Sequence, residues 1–295
     1  MKKRENYKLL SLTLGMLVIA IIILYLVITE RNNNHYYLIL DDSIIINDDL
    51  LNIFFFDVGQ GDSTFIMKNG YTMLIDGGND WNGKEIARHL RYLNVERIDF
   101  LVATHMHADH IGGLDTIINN FEIGYIFMPE SNRITIQENQ FLDAIEENNL
   151  KRNPTNIGDI FYLGYARNEI LFVNNDVPRN PNLTSIVIQM TYGNQVFLFM
   201  ADSVRQIEDS IEWNDVNVLR VGHHGSNTSS TERFLNQTNS EIAIISVGRN
   251  NAYNHPHEAV LYRLNNVGAI IYRTDERGTI WLRSNGIYST IRTER

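Results

Sequence analysis

Short apolar runs, broken by polar or glycine-containing stretches, recur from residue 51 to residue 282, and longer amphipathic stretches lie between them. The runs at 52–56, 63–68, 72–75, 100–103 and 125–127 read as strands, as do 170–173, 185–192, 196–200, 216–221, 242–247, 269–272 and 279–282. Apolar spacing of three and four residues predicts helices over 83–93, 113–120, 136–148, 204–213, 231–236 and 257–266. The aromatic run Phe54-Phe55-Phe56 belongs to a buried strand rather than to an exposed stacking surface. Many strands with helices between them predict two sheets carrying helices on their outer faces, within one domain over 51–295.

The first fifty residues have a different pattern. Residues 9–28 form an uncharged apolar run. At about 1.5 Å per residue a helix of that length spans roughly 30 Å, the thickness of a bilayer's hydrocarbon core. Lys2, Lys3, Arg4 and Lys8 precede it, so the positive-inside rule keeps residues 1–8 in the cytoplasm and exports the chain beyond residue 28. A cleaved signal peptide is the competing reading. The run exceeds a typical signal core, however, and no A-x-A site comes after it. The expectation is a single-pass anchor over 1–28, a solvated Asn/Asp-rich linker over 29–50 that holds His35, and an extracellular domain at a bacterial cell membrane.

Charge and composition narrow the partners. Asp and Glu number 35 against 25 Lys and Arg, a net charge of −10, and the anchor's basic flank makes the exported part more acidic still. This argues against broad electrostatic capture of nucleic acid, although not against a local metal-dependent nuclease site. The chain contains no cysteine, which excludes disulfides, thiolate-bound zinc and thiol nucleophiles.

Seven of the nine histidines fall in three tight clusters. The first, His105-x-His107-x-Asp109-His110, comes after the apolar run 100–103 and precedes a helix-start signal. Four nitrogen and oxygen donors within six residues suit Zn²⁺ or Mn²⁺. The others are His223-His224 in the sequence Gly-His-His-Gly-Ser, and His255-Pro256-His257 before a helix. His89, on a helix with Arg88 and Arg91, reads as solvated.

The HxHxDH pattern resembles the metallo-β-lactamase fold superfamily. Leu74-Ile75-Asp76-Gly77-Gly78, Phe199-Met200-Ala201-Asp202-Ser203 and Val221-Gly222-His223-His224-Gly225-Ser226 resemble its other motifs in chain order. More narrowly, the stretch from Phe56 to Asp62, the HHGS cluster, Asn254-His255-Pro256-His257 and Tyr272-Arg273-Thr274-Asp275 resemble the hydrolase domain of ComEC-type competence proteins. The resemblance implies a four-layer αββα sandwich binding up to two divalent ions. One ion would take His105 and His107; the other would take Asp109, His110 and a histidine of the HHGS cluster, with Asp202 bridging. Strand alternation lets one of the adjacent histidines face the metal. His223 is favoured as the ligand and His224 as a substrate contact. Asp109 would also steer the attacking water, and Asp76 would hydrogen-bond a ligand histidine. The superfamily's third-motif histidine is missing between His110 and Asp202, which leaves the His105/His107 position loosely held, with Asn182 or water in the gap. Asp57, Gln60, Asp62, Ser226, His255 and His257 are expected around the substrate.

The activity implied is hydrolysis of phosphodiesters, since two cations about 3.5–4 Å apart can share a hydroxide and hold the attacking and leaving oxygens. DNA and teichoic-acid phosphodiesters are the candidate substrates. Lactone, thioester or β-lactam hydrolysis at the same site is the alternative enzyme class, and a surface binding protein with a vestigial site is the non-enzymatic one.

Overall fold

A computed structural model describes residues 46–132 and 134–295. The linker's first part and the apolar run 9–28 lie outside the described residues, and among those described no helix is long and apolar enough to cross a membrane.

Among the described residues, fifteen strands form two sheets. The first sheet holds β1 (Leu51–Phe55), β2 (Thr64–Lys68), β3 (Tyr71–Ile75), β4 (Arg97–Val102), β5 (Glu122–Phe127) and the two-residue β6 (Arg152–Asn153). The second holds β7 (Ile160–Leu163), β8 (Ala166–Phe172), β9 (Val187–Tyr192), β10 (Gln195–Phe199), β11 (Val218–Arg220), β12 (Ile242–Ile245) and β13 (Ile270–Arg273). The chain then returns to the first sheet with β14 (Ile280–Ser284) and β15 (Ser289–Thr293), giving the orders β15-β14-β1-β2-β3-β4-β5-β6 and β13-β12-β11-β10-β9-β8-β7.

Each sheet is antiparallel in one half and parallel in the other. β3, β4, β5 and β6 run parallel in the first, and β10, β11, β12 and β13 in the second. Parallel strands end on one edge, so the loops after β3, β4, β10 and β11 gather there.

Alternation along the strands divides the core into layers. Ile53, Phe55, Ile66 and Met73 meet Ile188, Met190, Phe197 and Val218 between the sheets. The other face of the second sheet, with Leu198, Leu219, Ala243 and Ile245, packs on Phe234 and Leu235 of α6 (Glu232–Thr238) and on Val260 and Leu264 of α7 (Glu258–Asn266). On the first sheet's outer face, Phe54 stacks on Phe56, whose ring stacks on His89 of α1 (Gly83–Tyr92) at 5.3 Å between centroids. The result is a mixed α/β sandwich in which helices flank the paired sheets.

Several expectations need revision. The helix expected over 204–213 is one turn only, α5 (Arg205–Glu208), because Trp213 turns inward and donates its indole N–H to the Glu208 carbonyl. α3 (Leu114–Ile118) and α4 (Ile136–Glu147) occupy the expected stretches, and α2 (Ala108–Ile111) is an additional turn inside the histidine motif. β6, β7 and β15 were not expected. β7 does alternate, with Ile160 and Tyr162 exposed and Phe161 and Leu163 buried, but four residues carry little periodic signal. The remaining helix, α8 (Thr274–Arg277), comes directly after β13.

Candidate metal centre

The centre is built at the carboxyl ends of the parallel strands. Ile75 closes β3, and Asp76 is next in the chain with φ +61°. β4 delivers His105 and His107, and α2 turns Asp109 and His110 in the same direction. Ala201 after β10, also left-handed at φ +49°, presents Asp202. Beyond β11, His223 and His224 occupy a tight turn at φ +50° and +52°. A left-handed conformation costs a residue with a Cβ roughly 1–2 kcal/mol. Four such residues meet at this one edge, the pattern of strain held at a functional site.

The left-handed turn also overturns the sequence reading of the paired histidines. They are not on the strand, so strand alternation does not apply to them. His224, only 2% exposed, groups with Asp109 and His110 where His223 had been expected. Its Nε2 lies 3.3 Å from His110 Nε2, 3.4 Å from Asp109 Oδ2 and 3.4 Å from Asp202 Oδ1, and His110 Nε2 lies 3.3 Å from the same Asp202 oxygen. Donors at about 2.0–2.1 Å around a tetrahedral ion stand roughly 3.3 Å apart. The spacing therefore fits a cation. So does the state of Asp202 Oδ1, which is buried and has no hydrogen-bond partner.

The second group comprises His105, His107 and Asp202. His105 Nε2 is 3.0 Å from His107 Nδ1 and 3.8 Å from Asp202 Oδ2. The two oxygens of Asp202 thus face different groups.

Outer hydrogen bonds aim the imidazoles inward. His110 Nδ1 donates to Asp76 Oδ2 at 2.7 Å, and Thr104 holds that carboxylate through its amide (2.8 Å) and hydroxyl (2.7 Å). The His224 Nδ1–H donates to the Ser246 carbonyl at 2.9 Å, which leaves its Nε2 lone pair facing the centre. Arg220, fully buried at the end of β11, donates to the carbonyls of Ala201 (2.6 Å) and Val221 (2.8 Å) and pairs with Asp62. It ties the Asp202 loop to the histidine turn. Along the chain Arg220 lies inside the apolar run 216–221, and its charge is what sets it apart there.

Electrostatics favour metal uptake. Burial lowers the pKa of His105 well below the usual value, with His110 adding to the effect, and burial lowers those of His107 and His223. Against their own burial, Asp202 is held low by His224 and His110, and Asp109 by its hydrogen bond to His224 and by His110. Burial opposes charge on His110 too, yet Asp202 and Asp76 raise its pKa well above normal. A metal ion bound here would compete with a proton for His110 Nε2.

The centre opens into a cleft of about 210 Å³ walled by Gln60, His107, Asp109, His223, Tyr253 and His255. Gln60 Oε1 accepts from the Gly248 amide at 3.3 Å. Burial, then His224 and His223, push the His255 pKa down to about 4. The other expected substrate residues sit elsewhere. Asp62 lies behind the centre on Arg220, and Asp57 pairs with Arg295 at 2.7 Å. Ser226 is buried against the Thr228 hydroxyl at 3.0 Å, and His257 accepts from the Asn227 amide at 3.0 Å at the start of α7. Asn182 reaches the centre's edge, its Nδ2 3.3 Å from His223 Nε2. Tyr253 was not anticipated, since an isolated tyrosine in a polar loop carries no signal.

A paired-sheet sandwich with a histidine–aspartate cluster at its parallel edge defines a class of metal-binding proteins. Residues 56–249 match the Metallo-beta-lactamase superfamily, and the chain belongs to it. It is 28% identical over 249 residues to ComE operon protein 3 of Bacillus subtilis, covering 77% of this chain and 32% of that protein. With Recombination protein 2 of Haemophilus influenzae it shares 32% identity over 230 residues, covering 76% and 28%. The chain thus spans about a third or less of these homologues' length. The fold is shared with the metallo-beta-lactamase fold protein YhfI of Bacillus subtilis (TM-score 0.54, 13% identity, 82% of this chain and 100% of that one). It is also shared with CmlA, a diiron beta-hydroxylase from Streptomyces venezuelae (TM-score 0.50, 14% identity, 76% and 52%).

Proposed function

We propose that this chain is a metal-dependent hydrolase that cleaves phosphodiesters outside a bacterial cell, tethered by the apolar run 9–28. The observation that carries the proposal is the spacing of His110, His224, Asp109 and Asp202 Oδ1, with the second Asp202 oxygen turned to His105. Zn²⁺ or Mn²⁺ bound there would supply a nucleophile at neutral pH and stabilise charge on a phosphoryl oxygen. Asp76 fixes the His110 ring. Asp109, partly open to the cleft, steers the attacking water. His255, neutral at pH 7, contacts the phosphate or leaving group.

The cleft is smaller than the roughly 300–1,000 Å³ of sites that enclose whole ligands. It accommodates the phosphodiester while the rest of the substrate extends outward, as a polymer requires. Homologues named for competence and recombination support DNA as that polymer, with cell-wall teichoic acid as a comparison substrate.

A substrate panel on the full chain in detergent, with Zn²⁺ or Mn²⁺, tests the reading. Bis-p-nitrophenyl phosphate and single-stranded DNA should be hydrolysed faster than double-stranded DNA, p-nitrophenyl phosphorylcholine or a lactone. Preference for the lactone would replace phosphodiester chemistry with carbonyl chemistry. The tether is checked by protease treatment of intact cells, which should remove residues 51–295 and leave the N-terminus in the membrane.

A further inference from the structure

The missing third-motif histidine left the His105/His107 group short of a ligand in the sequence reading. His223 stands on that side of the centre. Its Nε2 is 3.6 Å from Asp202 Oδ2, the oxygen that faces His105, whereas His224 addresses Oδ1. The His223 Nδ1 is 2.8 Å from the Thr228 hydroxyl, which leaves Nε2 as the inward atom. The amide of Asn182 meets that same Nε2 at 3.3 Å, and Asn182 Oδ1 is buried with no hydrogen-bond partner.

Strand geometry would send one of two adjacent side chains away from the centre. Two consecutive left-handed residues instead keep both rings near it, their centroids 6.2 Å apart, on opposite oxygens of one carboxylate. That conformation is uncommon for any residue but glycine, and a double cost is retained only where the surroundings require it.

The geometry points to a division of the paired histidines between two metal positions: His224 with Asp109, His110 and Asp202 Oδ1, and His223 with His105, His107 and Asp202 Oδ2. His223 thereby takes the place of the absent third-motif histidine. Asn182 is then not a ligand, and its amide contact with His223 Nε2 belongs to the metal-free centre, because the single lone pair of that nitrogen goes to the ion. Each position then has four protein donors, and the second ion does not depend on substrate to complete its set. The inference rests on the metal-centre part of the proposed function and is independent of the bond cleaved.

Calorimetric titration of the metal-free full chain with Zn²⁺ tests it, with Co²⁺ absorption spectra as a second readout. The unmodified chain should bind two equivalents without substrate. His223→Gln should weaken one equivalent at least tenfold and leave the other unchanged, and His224→Gln should weaken the other. His105→Gln combined with His223→Gln should weaken that same equivalent further and leave the other unchanged, because both act on one ion. Costs of His110→Gln and His223→Gln should instead fall on different equivalents. Thr228 is solvent-exposed, so Thr228→Val keeps the fold while releasing Nδ1, and should weaken the His223 equivalent by about 10-fold or more. Two equivalents bound with unchanged affinity by His223→Gln, or a loss falling on the His110 equivalent, would overturn the division. Failure of the unmodified chain to bind metal would overturn the metal centre as well. Two tightly bound ions without phosphodiester cleavage would leave the division standing and remove only the proposed substrate.

Discussion

Asp202 sends its two oxygens to different sets of imidazoles, and both oxygens are buried at the floor of the centre. A single carboxylate placed in this way faces both candidate metal positions, which neither Asp109 nor Asp76 does. Asp109 lies on one side only, through its contact with His224, and Asp76 is committed to His110 and Thr104. Asp202→Ala should therefore lower bound metal below one equivalent per chain by elemental analysis. Turnover should fall on the order of 10²–10³-fold even in excess metal, the size expected when a preorganised electrostatic contact is removed. Near-normal turnover at saturating metal would make Asp202 a loop residue and remove the centre as drawn. Asp76→Asn should have a smaller effect. It loosens His110 without deleting a donor to the ion, so metal affinity should fall by about 10–100-fold with the fold intact by circular dichroism.

The ends of β10 and β11 hold their functional loops through Arg220, whose guanidinium joins the Ala201 and Val221 carbonyls to buried Asp62. Removing one member of a buried pair leaves the other charged without compensation, a cost of about 3–5 kcal/mol. Urea unfolding of Arg220→Leu should show a loss of that order, and the double variant Asp62→Leu/Arg220→Leu should recover a good part of it. Equal losses for the single and double variants would mean that the carbonyl contacts, not the charge pair, carry the energy. Helix α1 offers a second test. His89, expected on a solvated face, packs its ring on Phe56 with its side chain 15% exposed. Burial and the Arg88 cation lower its pKa to about 4. The unfolded chain therefore takes up this proton before the folded one does. The stabilisation is complete above about pH 6.5, declines as pH falls towards 4 and is constant below that; its full size is ~3 kcal/mol. His89→Leu should flatten the dependence of unfolding free energy on pH across this window, with the remaining histidines common to both proteins. An unchanged slope would place the ring in solvent.

The whole molecule carries a net charge of −10 and would meet a polyanion if DNA is the substrate. Repulsion of this kind is screened as the Debye length shortens from about 30 Å at 0.01 M salt to about 10 Å at 0.1 M. Raising salt across that range should increase kcat/KM for single-stranded DNA relative to bis-p-nitrophenyl phosphate, opposite in sign to proteins that bind DNA through basic surfaces. A steep fall with salt would reveal a basic track that the net charge conceals.

Much of this protein is legible without its structure. The strands that form the inter-sheet core announce themselves as apolar runs, because burying them is the main driving force of folding. The histidine motif is equally visible, since its donors lie within six residues and one loop can bring them together. Strand β7 and edge strand β15 were missed because short or half-exposed segments carry weak periodicity. What the sequence by itself determined is therefore the paired-sheet class, the superfamily and the inventory of donors. The tertiary structure alone decided how those donors are distributed. A left-handed turn placed His224 with His110 and turned His223 towards the other Asp202 oxygen, and the packing of β11 made Arg220 an internal tie rather than a surface charge. Those outcomes depend on φ angles and on contacts between residues more than a hundred positions apart. A linear pattern records which groups are present; the closing of the two sheets sets which atoms they face.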